Sequence, residues 1–166
     1  FSSQFADTRR VGSGKDSNKE MSRLYQFESI LSLTGSNADY RTAIKPSQAG
    51  LVVTALYNKV AAKLGGKSIS SAAIEVANLD KAANELVAAK GQALVVSGVN
   101  DPAVQVVVNA LNSLLGSYGT TIDLDTPSNV RQGNDVAMNE FIDEVKGGKV
   151  GAVIVYGANP VYDHPR

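Results

Sequence analysis

Three short stretches in the second half of the chain are predicted to be strands, and two of them are almost entirely apolar. Residues 93–96 (ALVV) form an unbroken apolar run, residues 120–124 follow it, and residues 150–156 (VGAVIVY) give the strongest strand signal. Short unbroken runs of this kind are typical of strands buried on both faces, as in parallel sheets. The pattern therefore predicts three strands in this half.

Helical spacing fills both intervals between these strands. Asp101 and Pro102 predict a helix start, with the carboxylate as N-cap and the proline in the first turn, and this helix ends at Gly116. Asn134 or Asp135 caps a further helix. Because strands and helices alternate, the strands should run parallel and be joined by right-handed crossovers. The predicted fold class is α/β, with an open, mainly parallel sheet flanked by helices.

The first half of the chain is less regular. Residues 1–22 are polar and are predicted to form an extended N-terminal arm, whereas residues 23–166 are predicted to form one α/β domain. Apolar residues around Tyr25 indicate a short strand, and residues 36–45 indicate a loop. Because arms of this kind usually wrap on a neighbour, we expect the first segment to contact another domain or partner.

Two more helices are predicted between this loop and residue 93. The first has Ser47 as its N-cap and ends at Gly65. The second has Asp80 as its N-cap and ends at Gly91. Apolar residues at helical spacing support both helices.

Composition excludes several classes of function. The chain has 166 residues, of which 43% are hydrophobic, so one domain with a real core can form. Sixteen basic residues balance sixteen acidic ones, which argues against a nucleic-acid binder. There is no cysteine, and His164 is the sole histidine, so thiolate chemistry, Cys-ligated clusters and multi-histidine metal sites are excluded from this segment.

The ends of the chain and its hydropathy bear on location. No apolar run reaches the roughly 20 residues of a membrane span, and the first residues lack the apolar core of a signal peptide. The chain starts at Phe1 without an initiator methionine, and we expect it to be a piece of a longer polypeptide.

The loop after the first predicted strand is one of two candidate ligand sites, because ligands bind at strand ends in open α/β sheets. It contains Ser97, Gly98 and Asn100, and a helix start follows it. Free N–H groups at a helix start favour an anionic ligand such as a pyrophosphate. The alternative is a plain strand-to-helix turn capped by Asp101, whose negative charge counts against an anion.

The loop after the third predicted strand is the other candidate. It contains Gly157 and Asn159, and the Asn159 amide is suited to contact a base or a ribose. The alternative is again a simple turn, because Asn-Pro is a common turn initiator. Tyr162, Asp163 and His164 come next, but neighbours in sequence rarely converge on one substrate. We therefore expect no catalytic residue in this chain.

Three phrases of the sequence resemble one family. MSRLYQFESILSLTGSNADYR, ALVVSGVNDPAVQVVVNALNSLLGSYGTTID and KVGAVIVYGANPVYDHP occur in the order expected for the B subunits of alternative complex III. These subunits are similar to molybdopterin oxidoreductases. The three stretches span most of residues 21–165. The resemblance implies a Rossmann-like subdomain of the molybdopterin-oxidoreductase fold.

The resemblance also implies a role for the two loops. In molybdopterin enzymes, the loops that match Ser97, Gly98, Asn100, Gly157 and Asn159 help to cradle the guanosine arm of the cofactor. The B subunit of alternative complex III is not known to carry that cofactor, so the resemblance implies an empty, vestigial cradle. A metal role at Tyr40 is also in doubt, because the family phrase has a histidine there.

The resemblance further implies a place in a respiratory complex. The expected function is that of a non-catalytic structural domain of a periplasmic subunit, on the outer side of the bacterial inner membrane, in a quinol-oxidising electron-transfer complex. Its expected partners are multi-haem cytochrome and quinol-binding membrane subunits. Iron–sulfur clusters are expected in a Cys-rich domain outside these 166 residues.

Three interpretations stay open. The chain is that structural domain, or it is the cofactor-binding segment of an active molybdopterin-dependent oxidoreductase. A small nucleotide-binding module of another kind is the third possibility, against which the weak loop signals argue.

Overall fold

A pair of short parallel strands organises the first half of the protein. The computed structural model describes residues 2–9, 21–128 and 133–164. Strand β1 (Tyr25–Glu28) pairs in parallel with β2 (Tyr40–Ala43), with Tyr25 opposite Tyr40 and Glu28 opposite Ala43. The short helix α2 (Leu33–Ser36) connects them. The predicted strand near Tyr25 is confirmed, but the predicted loop over residues 36–45 is wrong because it contains β2.

Three helices form the core beside this pair. After a 3-10 turn at Pro46–Gln48, α3 (Ala49–Leu64) packs against both α4 (Leu79–Ala88) and α5 (Pro102–Leu115). Their apolar faces meet in one cluster of buried side chains that includes Val60, Ala61, Leu79, Ala83, Leu111 and Leu115. The core therefore depends on helix packing rather than on a sheet.

The predicted helix boundaries at Gly65, Asp101–Pro102 and Gly116 are confirmed. Asp101 caps α5, Pro102 occupies its first turn, and Gly116 ends it in the left-handed conformation at φ 68°. Gly65 ends α3 in the same way at φ 79°. Glycine adopts this conformation at little cost, so the sequence is decisive at these positions.

Three other predicted helix boundaries are wrong. Ser47 lies inside the 3-10 turn and does not cap α3. Asp80 lies in the first turn of α4, where Asn78 occupies the N-cap position at φ 64°. That helix ends at Ala88, before Gly91. Gln48 and Asn78, which occupy the two N-cap positions, make no side-chain cap hydrogen bond, so a capping side chain does not set these two helix starts.

The three strands predicted in the second half are not paired as strands among the described residues. Residues 93–96 and 150–156 have no ladder, and residues 120–124 contribute a single isolated bridge from Ile122 to Tyr118. A strand exists by hydrogen bonding to a neighbour, which an apolar run does not itself supply. The structure is mixed helix and strand with a two-stranded parallel sheet, which is compatible with the α/β class.

The chain divides into two compact units, Phe1–Asp125 and Thr126–Arg166. The second unit contains α6 (Asp135–Lys146), capped by the side chain of Asn134, one of the two predicted candidates, and the one-turn helix α7 (Pro160–Asp163). The predicted division into residues 1–22 and 23–166 stays a prediction.

The N-terminal arm, predicted to be extended, begins with a short helix. Helix α1 (Ser2–Asp7) is followed by Thr8 and Arg9, which contact the segment before β1. The rest of the predicted arm up to residue 20 lies outside the described residues.

Candidate functional site

The first predicted loop is held by its own chain. The Ser97 hydroxyl accepts a hydrogen bond from the Val99 N–H at 3.2 Å. The side-chain amide of Gln105, on α5, donates to the carbonyls of Ser97 at 3.0 Å and Val99 at 2.7 Å. Gly98 and Asn100 are exposed, and a Cβ at Gly98 would meet no atom within 4 Å.

The start of α5, next to this loop, already carries a negative charge. The Asp101 carboxylate accepts a hydrogen bond from the Ala103 N–H at 2.8 Å. That N–H group is one of the donors that an anionic ligand at the helix start would use. The polar groups of the loop that form hydrogen bonds therefore close the turn and cap the start of α5.

Side chains of α5 and of the turn after it bind the backbone of residues 93–96. The Val95 N–H donates to Asn112 Oδ1 at 2.9 Å, and Asn112 Nδ2 donates to the Val95 carbonyl at 2.7 Å. The hydroxyls of Ser117 and Thr121 both donate to the Ala93 carbonyl at 2.8 Å. Asn112 is only 2% exposed, so this is a buried polar contact.

The second predicted loop lies in the other compact unit. Gly157 has φ 65° and is exposed, and a Cβ added there would meet no atom within 4 Å. Asn159 is exposed and caps α7, with its side-chain oxygen accepting from the Tyr162 N–H at 3.3 Å. Residues 97–100 belong to Phe1–Asp125 and residues 157–160 to Thr126–Arg166, so the two halves of the predicted cradle lie in different units.

A buried carboxylate that sequence analysis did not single out joins β1, α2 and β2. Glu28 accepts from the Ser32 hydroxyl at 2.5 Å, from the Arg41 Nε at 2.6 Å and from the Gln26 amide at 3.3 Å. Its side chain is 8% exposed. A Cβ added to Gly35 would lie 1.9 Å from Glu28 Oε1, so the carboxylate occupies the space that glycine leaves.

These donors shift the acidity of Glu28. The Ser32 hydroxyl and then the Arg41 guanidinium lower the pKa of the Glu28 carboxyl from 4.5 to about 2. The group is therefore ionised throughout the ordinary pH range. A fully hydrogen-bonded carboxylate of this kind fixes geometry, and it lacks the raised pKa expected of a general acid.

Each residue of the tripeptide Asp39-Tyr40-Arg41 makes a structural contact. Asp39 binds Arg9 of the N-terminal arm and accepts from the Leu24 N–H, while Arg41 binds Glu28. The Tyr40 ring stacks on Tyr25 with a 4.7 Å centroid separation. The tripeptide therefore makes its contacts within the chain.

Tyr40 also contacts a cation. The ammonium of Lys81, on α4, donates to the Tyr40 hydroxyl at 2.6 Å and lies 3.8 Å from the ring centroid. Burial raises the pKa of Tyr25, and the Glu85 carboxylate raises it further. The stacked pair thus joins the two strands to α4, and Tyr25 stays a neutral phenol.

The described ranges hold neither a metal cluster nor a membrane span. In residues 2–9, 21–128 and 133–164, no three His, Cys, Asp or Glu side chains lie close enough to hold a metal ion. Within the same ranges, no helix has the length and apolar content needed to cross a membrane.

No protein-family model matches the chain, and no curated protein matches it.

One of the organising residues, Asn112, had a signal in the sequence. Asn112 falls four positions after Val108 within the apolar stripe of α5, and a polar residue there indicates a buried hydrogen bond. Glu28, Ser32 and Gly35 lie close together in the chain, but their convergence with Arg41 depends on the pairing of β1 with β2.

Proposed function

We propose that this chain is a non-catalytic structural domain of a larger electron-transfer subunit, similar to the B subunit of alternative complex III. The observation that carries the proposal is the loop of residues 97–100. Its carbonyls bind Gln105, and Asp101 caps the following helix. A loop that binds a dinucleotide arm would instead leave its helix N–H groups open to the phosphates.

A more complete sheet belongs to the same proposal. Residues 93, 95, 97 and 99 are more buried than residues 94, 96, 98 and 100, which is the alternation of a strand with one covered face. Residues 150–156 are apolar and largely exposed, with Ile154 95% exposed. We infer that these segments become strands of an open, mainly parallel, Rossmann-like sheet in the complete subunit.

The setting of the domain is part of the proposal. It lies on the periplasmic side of a bacterial inner membrane, and its partners are multi-haem cytochrome and quinol-binding membrane subunits. Iron–sulfur clusters belong to a Cys-rich domain elsewhere in the subunit, since this chain contains no cysteine. The domain positions its neighbours, and electrons pass through other parts of the complex.

The alternative is the cofactor-binding segment of an active molybdopterin-dependent oxidoreductase. Exposed Gly98 and Asn100 favour it, because they offer open space and an accessible amide. The Asp101 carboxylate counts against it, because the cofactor carries phosphates that would meet this charge. The residues therefore fit an anionic cofactor poorly, and no chemical step is assigned to them.

Metal analysis of the intact complex tests the choice. A structural domain of this kind predicts haem and non-haem iron without molybdenum or tungsten. Stoichiometric molybdenum or tungsten would establish the alternative.

Calorimetric titration of the chain with guanosine diphosphate tests the same choice by ligand binding, and no binding is expected. The variant Asp101→Asn removes the repelling charge and serves as the comparison. Tight binding to the unmodified chain would contradict an empty cradle.

A further inference from the structure

Residues 2–9 of the N-terminal arm contact the segments that lead into β1 and β2, mainly through Arg9. Arg9 NH1 donates to Asp39 Oδ1 at 3.2 Å, and NH2 binds Asp39 Oδ2, which gives the forked geometry of a guanidinium on a carboxylate. NH2 also donates to the Ser22 carbonyl at 2.7 Å. The two side chains are about one-fifth exposed, so solvent screens this pair less than a fully exposed one.

The carboxylate that accepts this guanidinium is held by hydrogen bonds between the segments that lead into β2 and β1. Asp39 Oδ2 accepts from the Leu24 N–H at 2.7 Å, and the Asp39 N–H donates to the Leu24 carbonyl at 3.0 Å. These bonds fix the carboxylate on the segment that leads into β1. The Arg9 hydrogen bond is also the main cause that lowers the pKa of Asp39.

The arm side of the contact is similarly organised. The Arg9 guanidinium lies 4.5 Å from the centroid of the Phe5 ring, and the Thr8 and Ser22 hydroxyls are 2.6 Å apart. Phe5 supports Arg9, Thr8 adds a neutral contact to Ser22, and Arg9 makes the charged contact between residues 2–9 and Asp39.

We propose that Asp39 and the Ser22 carbonyl form a guanidinium-binding site that holds residues 2–9 as a displaceable strap. The sequence between Arg9 and Ser22 (RVGSGKDSNKEM) consists mainly of glycine, serine and charged residues, a composition typical of linkers. The forked ion pair is the charged contact that holds the strap, and the Thr8–Ser22 hydroxyl bond that remains without it is neutral and exposed. Loss of the ion pair should therefore release the strap while β1 and β2 stay paired. The site then becomes available to an arginine from outside the strap.

Distance measurement between two spin labels tests the strap directly. The chain has no cysteine, so Ala6→Cys and Lys90→Cys introduce unique labelling positions at two exposed residues. A single narrow distance is expected when the strap is docked. Arg9→Ala should lower the ratio of docked to undocked chains about tenfold or more, since it removes charge-assisted hydrogen bonds at a partly buried site.

Two further variants separate the site from a general effect of charge. Arg9→Lys should fall between the unmodified chain and Arg9→Ala, because an ammonium cannot form the fork. Arg23→Ala is the matched control, since Arg23 pairs with Glu85 outside the strap. An unchanged distance distribution in Arg9→Ala, or an equal loss in Arg23→Ala, would overturn the proposal.

A synthetic peptide of residues 1–9 gives a second test that does not depend on the stability of the variant. Added to the Arg9→Ala chain, it should shift the amide resonances of Leu24, Asp39 and Tyr40. The double variant Arg9→Ala/Asp39→Asn should show no such shifts. Equal shifts in both chains would place the arm elsewhere and refute the site.

Discussion

Asn112 and Val95 exchange two hydrogen bonds, as facing residues do in an antiparallel ladder, although Asn112 lies on a helix. Asn58 of α3 binds the backbone of Ile69 in the same way, with bonds of 2.8 and 2.7 Å. Helix amides thus supply the backbone hydrogen bonds that a strand neighbour would make at Val95 and Ile69. Residues 93–96 therefore have backbone partners without a ladder.

We predict that Asn112→Ala destabilises the chain by about 2–3 kcal/mol, because it removes two bonds and leaves polar backbone groups of Val95 without partners. Asn58→Ala, at a more exposed position, should cost about 1 kcal/mol or less. Urea denaturation measures both. Similar losses in the two variants would show that burial of Asn112 has no special effect.

Glu28 should make stability depend on pH at acidic values. Its pKa is lowered to about 2 in the folded chain from an ordinary 4.5, so the ionised carboxylate stabilises the fold above pH 4.5. That contribution is lost as the pH falls from 4.5 towards 2. In Glu28→Gln, the free energy of unfolding should be lower at neutral pH and should decrease less steeply between pH 4.5 and 2. An unchanged slope would contradict the assigned role.

Gly35→Ala should destabilise the chain by about 2 kcal/mol or more, because the new Cβ would overlap Glu28 Oε1 and force the carboxylate away from Arg41. Gly98→Ala is the matched control, with open space around the added methyl group and an expected change within about 0.5 kcal/mol. Thermal unfolding compares the two. Equal melting temperatures would remove the steric argument.

Asp101→Ala should lower stability by about 1 kcal/mol, the usual effect of losing an N-cap side chain. The loss should appear as faster hydrogen exchange in the first turn of α5, with little change in α3. Exchange that rises equally in both helices would indicate a global effect instead.

The sequence alone determined the features that depend on local chemistry. Asp101 with Pro102 set the start of α5, Gly65 and Gly116 set two helix ends, and the start of α6 was narrowed to Asn134 or Asp135, of which Asn134 is the cap. Proline fixes φ and glycine permits positive φ wherever they stand, so these effects need no distant partner. The absence of cysteine likewise excluded thiolate chemistry without any structure.

Tertiary structure decided everything that requires two distant segments to meet. It placed β2 where a loop was predicted, paired Arg41 with Glu28, and gave residues 93–96 helix side chains as partners. An apolar run indicates that a segment is buried, but the groups that hydrogen-bond to its backbone depend on the path of the whole chain. The loop around Ser97 followed the same rule, because its closure by Gln105 was visible only once α5 was packed.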